Sequence, residues 1–272
     1  RPGRRARVAG VAAVLVVLVG ASGPMWTGKL YPLGYQIPAR WHQATDDLDA
    51  RDPDNRVLVV PGGTGGNYRW GMRSPDDLFP SLLDRPVAVR NTVSGRGSEA
   101  GNFLAGYDTL LAQGALAPGA LSTVARYLGA SQVLVRNDLL TEEIGGPSPA
   151  LVAAQTSADR DLDPVRTYGR PGTDTLPGRS GRPTRAERAD DPRNASLAPI
   201  EVLDVADPEP VVRSVPVGHQ LVVDGDGEAF PALSREDLLS GAPAVRYLGS
   251  LDRAGLRQAL ADGAGLVLTD TN

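Results

Sequence analysis

The stretch Arg56–Gly71, RVLVVPGGTGGNYRWG, sets an apolar run against a glycine cluster and then two aromatics around an arginine. A phosphate-binding loop would need a lysine and a hydroxyl directly after its last glycine, to hold the β and γ phosphates and magnesium. Here Gly66 is followed by Asn67 and Tyr68. A dinucleotide fingerprint needs G-x-G-x-x-G opening a helix, with an acid about 20 residues on, and Gly63-Thr64-Gly65-Gly66 misses that spacing. What remains is a glycine loop followed by Tyr68-Arg69-Trp70, with Asp76 and Asp77 close behind. Aromatic faces beside arginine and carboxylates suit a saccharide: sugar C–H groups lie on the rings while hydroxyls bond the charged groups. The competing reading folds Tyr68 and Trp70 inward as core and leaves Arg69 outside.

Other candidate groups are sparse. Cysteine is absent, which removes disulfides, thiolate catalysis and cysteine-based metal sites, and His42 and His219 stand far apart. No metal centre and no cofactor is expected. Asp224, Asp226 and Glu228 in DGDGEAF resemble the start of a calcium loop, but the positions for its glycine and glutamate hold Ala229 and Arg235. This reads as a turn. The pairs Asp46-Asp47 and Asp76-Asp77 could do acid–base work, although paired carboxylates more often lie on an exposed helix face or at a cap. The net charge of −4 gives no field for nucleic acid.

These groups need elements to carry them. Val57–Val60, Val87–Arg90 and Val133–Val135 are expected strands; Tyr35–Asp52, with Trp41, Ala44 and Leu48 on one face and Arg40, Gln43, Asp47 and Arg51 on the other, is an expected amphipathic helix. Helical stripes recur from Phe103 to Leu111 and from Leu121 to Leu128. Later strands are expected at Ile200–Val205, Val211–Val215, Leu221–Val223 and Leu266–Thr269, those between 200 and 223 antiparallel, with helices at Arg235–Leu239 and Asp252–Ala261 capped by Ser234 and Ser250. Three runs end alike: VLVV into PGGTGG, VLVR into NDLL, and LVLT into DTN. As parallel neighbours they would line one edge with polar groups, where open α/β sheets keep their ligand crevice. That brings Arg90, Asn91, Arg136, Asn137 and Asp138 to the same edge as the YRWG loop. Polar surface loops alone would explain the pattern equally well.

Val8–Trp26 is 19 residues without a charge, preceded by Arg1, Arg4, Arg5 and Arg7. A helix of that length rises about 28 Å, close to a bilayer core. A transmembrane helix with a cytoplasmic start is expected, which exports the rest; a signal peptide is the alternative. The fold expected is α/β, or α+β: one N-terminal transmembrane helix (1–30), then a mixed-sheet extracytoplasmic domain in two parts (31–140 and 200–272), separated by a partly disordered insertion at 141–199. Within it, 169–196 is poor in apolar residues and rich in Pro, Gly, Arg and Asp. The arginine start and the GLVLTDTN end suggest an internal piece of a longer protein.

The order of LGYQIPARWHQATDDLDA, RVLVVPGG, YRWG, PDDLFPSLL, PVAVRN and ASQVLVRNDL, then IEVLDV and LVLTDTN, resembles the membrane-bound α-(1→3)-arabinofuranosyltransferases of actinobacteria. The resemblance runs over most of the chain and is poorest at 141–199. It implies a GT-C type glycosyltransferase of the cell membrane that builds cell-wall arabinan from a polyprenyl-phosphate arabinose donor and an arabinan acceptor. Such enzymes hold their catalytic carboxylate on an early extracytoplasmic loop, which no residue here matches. The resemblance thus implies a non-catalytic extracytoplasmic portion, in contact with the bilayer, for which Tyr68, Arg69, Trp70, Asp76, Asp77, Arg90, Asn91, Arg136, Asn137 and Asp138 are the candidate sugar-contacting residues. Two rivals stand beside it: a membrane-tethered binding or scaffold domain without activity, and a secreted hydrolase with a close carboxylate pair.

Overall fold

Val57, Leu58, Val59 and Val60 are all buried, as a β-branched run covered on both faces requires, and they form the centre of strand β1 (Arg56–Val60). The computed structural model describes residues 36–63, 66–74, 78–90, 99–141, 145–172, 193–225 and 227–269. The apolar stretch Val8–Trp26 lies outside them, and among the described residues no helix is long and apolar enough to cross a membrane. Ile37–Asn272 forms one compact unit.

Helix α1 (Ala39–Arg51) precedes β1 and buries Trp41, Ala44, Thr45 and Leu48, the face its apolar spacing predicts. After β1 come the two-residue strands β2 (Gly66–Asn67) and β3 (Arg73–Ser74), the short helix α2 (Phe79–Leu82) and strand β4 (Val87–Ala88). Helices α3 (Glu99–Gln113) and α4 (Ala120–Tyr127) then lead to β5 (Ala130–Arg136), in which every residue is buried. Helix α5 (Pro149–Ser157), β6 (Leu162–Tyr168) and β7 (Ile200–Val205) follow. The main sheet has the order β4-β1-β5-β7-β6, with β4, β1 and β5 parallel and β7 antiparallel to both its neighbours. The chain passes from β1 to β4 on one side and then to β5 on the other, so the carboxyl end of β1 is a topological switch point.

The second sheet holds β8 (Gln220–Asp224), β9 (Ala244–Tyr247) and β10 (Gly265–Leu268) in the order β10-β8-β9, all parallel. Helix α6 (Phe230–Arg235) connects β8 to β9 and helix α7 (Arg253–Ala261) connects β9 to β10. One apolar cluster joins the two sheets through α3, α4 and α6, where the Phe103 ring meets Phe230 edge-on at 4.4 Å.

Several expectations are corrected here. The region 141–199 contains α5, capped by Ser148 with Pro149 at its first turn, and the edge strand β6. Five successive exposed residues in β6 hide its sheet role from any apolar pattern, and Pro164 sits at a register irregularity on the edge, where a missing N–H is tolerated. Val211–Val215 is not a strand: prolines at 208, 210 and 216 remove donors around it, and Val212 is 87% exposed. β8 is parallel to its neighbours rather than antiparallel, and β10 borders β8, so LVLT does not share an edge with VLVV and VLVR. The helix expected at Arg235–Leu239 ends at Arg235, having begun at Phe230 with Pro231 in its first turn. Asp252, not Ser250, caps α7 by accepting from the Gly255 N–H at 2.6 Å.

Arg85 locks the amino edge of the main sheet. It is 4% exposed and donates to the carbonyls of Leu48, Asn55 and Arg56, to Gln132 Oε1 and to Ser131 Oγ. Desolvation lowers its pKa, while Asp52 and Asp49 pull it back toward charge.

Candidate functional site at the carboxyl edge

β1 and β5 run in register to Val60 and Val135, so Pro61-Gly62-Gly63 and Asn137-Asp138 leave the sheet side by side, with Arg90 following β4. The YRWG turn is fastened to the segment after β5. Arg69 N–H donates to the Asp138 carbonyl at 2.8 Å, Leu140 N–H donates to the Asn67 carbonyl at 2.8 Å, and Tyr68 bridges to Leu139.

Arg136 lies 1% exposed beneath this turn. Its Nε and Nη2 donate to the Pro61 carbonyl at 3.2 and 2.6 Å, its Nη1 donates to the Tyr68 hydroxyl at 3.0 Å, and its guanidinium lies over the Phe79 ring at 5.4 Å. A buried guanidinium needs this density of acceptors to offset its lost hydration. Asp138 is equally buried. Its Oδ2 accepts from the indoles of Trp41 at 2.9 Å and Trp70 at 3.0 Å, and Arg40 approaches to 3.6 Å. Trp41 meets Tyr68 edge-on at 5.5 Å, and Tyr68 stacks on Trp70 at 5.0 Å.

Burial divides the candidate residues. Tyr68, Arg136 and Asp138 are at most 1% exposed and Asn137 is 8% exposed, its amide donating to the Ala198 carbonyl. These four form the buried frame of the edge, and Tyr68 lies inward as the competing reading expects. Arg69, Trp70 and Arg90 are half-buried and keep surface at the edge. Asp76, Asp77 and Asn91 lie outside the described residues. Asp47 is neither catalytic in setting nor a cap: on the surface of α1 it accepts from Tyr168 and Arg166, which hold its carboxyl below the usual range.

Three contributors are not visible in the sequence. The apolar pattern places Trp41 in the core but not on Asp138. The same pattern points Arg40 outward, yet it reaches Asp138. Asp108, inside the apolar stripe of α3, comes against the glycine turn: its Oδ1 accepts from the Gly62 N–H at 2.8 Å and its Oδ2 faces Arg90 Nη1 at 3.8 Å. No spacing rule links residues 62, 90 and 108. Among the described residues no group of three acidic or histidine side chains is placed to hold a metal.

The whole chain, residues 1–272, matches the family model described as "Alpha-(1->3)-arabinofuranosyltransferase, N-terminal GT-C domain". The class is therefore glycosyltransferases of the GT-C type. Within it, this chain belongs to the α-(1→3)-arabinofuranosyltransferase family. It is 32% identical over 282 residues to the α-(1→3)-arabinofuranosyltransferase of Mycolicibacterium smegmatis, a match covering 99% of this chain and 19% of that protein. Against the Mycobacterium tuberculosis enzyme of the same name, identity is 33% over 184 residues, covering 65% of this chain and 13% of the relative. The chain thus spans a fifth or less of these relatives. Two cryo-EM structures of arabinofuranosyltransferase AftD from mycobacteria share the fold at a TM-score of 0.64. One is 23% identical, covering 99% of this chain and 20% of that one; the other, a mutant form, is 25% identical, covering 100% and 21%.

Proposed function

We propose that this chain is the non-catalytic extracytoplasmic portion of an arabinofuranosyltransferase that uses polyprenyl-phosphate arabinose to extend or branch cell-wall arabinan. The family match over all 272 residues carries this reading. Val8–Trp26 would be its membrane helix, and the region after it would lie on the outer side of the cell membrane.

The carboxyl edge is the surface for the arabinan acceptor. A rigid frame of Arg136, Asp138, Tyr68 and Trp41 presents Arg69, Trp70 and Arg90 at its rim. An indole face and two guanidinium groups supply the apolar and hydrogen-bonding surfaces that a furanose chain needs. In the full-length enzyme, transfer from a lipid-linked arabinose donor tests this. Arg69→Ala and Trp70→Ala should each raise the acceptor KM about tenfold, the first through loss of a charge-assisted hydrogen bond and the second through loss of a ring face packed on sugar C–H groups. An unchanged acceptor KM in both variants would remove the edge from acceptor binding.

A further inference from the structure

Gly62 is glycine for a reason that lies 46 residues away. A Cβ at this position would collide with Asp108 Oδ2 and come within 2.7 Å of Arg90 Cβ. The carboxyl group of α3 thus occupies the space a side chain would take, directly against the turn that leaves β1. Its side chain is 12% exposed. One oxygen is satisfied by the Gly62 N–H; the other makes no hydrogen bond among the described residues and stands 3.8 Å from Arg90, an ion-pair distance beyond hydrogen bonding. Beside it lies a cavity of about 20 Å³, bordered by Leu58, Val60, Leu104, Tyr107, Leu121 and Val124. It has room for about one water.

Holding the turn does not require a charge. An asparagine would accept the Gly62 N–H equally well and avoid placing an anion beside an apolar wall. The charged group within ion-pair distance of that oxygen is Arg90, whose side chain is 36% exposed beside the switch point at the end of β1; Arg136 also favours the ionised form but is itself buried among other acceptors. We propose that Asp108 is a positioning residue of the carboxyl-edge site: its carboxylate holds the Arg90 guanidinium at the crevice, where Arg90 donates N–H bonds to the oxygens of a saccharide. For the class of ligand, this rests on the arabinan-acceptor role of the edge.

The charged and titratable groups facing Asp108 are Arg90 from the end of β4, Arg136 from the end of β5, and Tyr107 on its own helix. The turn after β1 offers the Gly62 amide, and α4 offers only Leu121 and Val124. Burial pushes the Asp108 carboxyl up to about 6, against the downward pull of the Gly62 amide, Arg90 and Arg136. Above that value Arg90 is held, and below it Arg90 is released.

Two measurements on the full chain test this. Arginine side-chain ¹⁵N NMR should show the Arg90 Nε signal moving with a midpoint near pH 6, and no such movement in Asp108→Asn. Affinity for a short arabinofuranosyl oligosaccharide should fall about fivefold from roughly pH 7.5 to 5.0, while Asp108→Asn shows the weaker affinity throughout. A flat Arg90 signal in the unmodified chain, or an Asp108→Asn variant with the unmodified affinity and pH profile, overturns the positioning role. If no oligosaccharide binds at any pH while Arg90 still titrates with Asp108, the acceptor reading fails and the Asp108–Arg90 coupling stands.

Discussion

The two sheets share a plan and differ in everything that surrounds it. In each, the strand that comes first in the sequence lies in the middle and the next two of that sheet flank it in parallel: β1 between β4 and β5, β8 between β9 and β10. Each central strand ends in a glycine turn, Pro61-Gly62-Gly63 in one and Asp224-Gly225 in the other. The first sheet is extended by β7 and β6, and its carboxyl edge is filled with buried arginine, aspartate and aromatic rings. Among the described residues the second sheet has three strands, and β10 leaves Leu266 and Leu268 48% and 71% exposed. The shared strand plan does not itself build the first sheet's carboxyl edge; the side chains that fill it come from distant segments, Trp41 from α1 and Asp108 from α3.

That contrast can be broken at its strongest point first. Arg136→Ala removes the bonds it donates to the Pro61 carbonyl and the Tyr68 hydroxyl beneath the YRWG turn. A loss of about 2–5 kcal/mol is expected in urea denaturation, from buried polar groups that each lose about 1–3 kcal/mol with their bond. The second sheet has no equivalent residue to lose among those described. A destabilisation below about 1 kcal/mol would show that the frame at the first edge is not what holds it.

Asp108→Asn should act in the opposite direction. The folded-state value near 6 exceeds the ordinary 3.8, so the native state binds the extra proton and this carboxyl's contribution to stability falls as pH rises from about 4 to 6. At a pH of about 7.5 the variant should be more stable by about 2–3 kcal/mol, because raising a carboxyl from 3.8 to about 6 costs roughly 1.36 kcal/mol for each pH unit of the rise. Below about pH 4 the two proteins should coincide. Thermal melts at about pH 3.5, 5, 6 and 7.5 give the profile, and a variant less stable than the parent at the highest pH would refute the sign.

Trp70→Phe keeps a ring on Tyr68 but removes the indole bond to Asp138, a loss of about 1–2 kcal/mol because the acceptor is charged. Smallest of all is Leu268→Ala on β10, where the side chain is 71% exposed, expected within about 0.5 kcal/mol. If Leu268→Ala costs more than Trp70→Phe, the second sheet's edge is covered by something the exposed leucine does not reveal.

The same contrast governs what the sequence could disclose. Local signals worked where one segment decides its own state: the VLVV and VLVR runs became parallel neighbours, and the Trp41, Ala44 and Leu48 face of α1 became core. They failed where a distant partner decides. β6 has an exposed middle and is a strand because β7 pairs with it, and Val211–Val215 has β-branched residues but prolines that deny it a ladder. At the site, the residue types at the edge were legible, yet their roles were not. Tyr68, Arg136 and Asp138 are polar enough to suggest a ligand, and only their hydrogen bonds within the fold show that their partners are the protein's own groups. Asp108 was hidden altogether, because a single carboxylate in an apolar helical stripe carries no mark of the glycine it meets.

Arg85 has a consequence for how the chain reaches this structure. Its five acceptors belong to residues 48, 55, 56, 131 and 132. Three can be met as soon as α1 and β1 are in place, but Ser131 and Gln132, 46 and 47 residues further along the chain, arrive only with β5. Without β5 two of its N–H groups would have to be met by water. Arg85 thus couples the closure of this edge to the docking of β5, so that one strand completes the shell of another segment's charge.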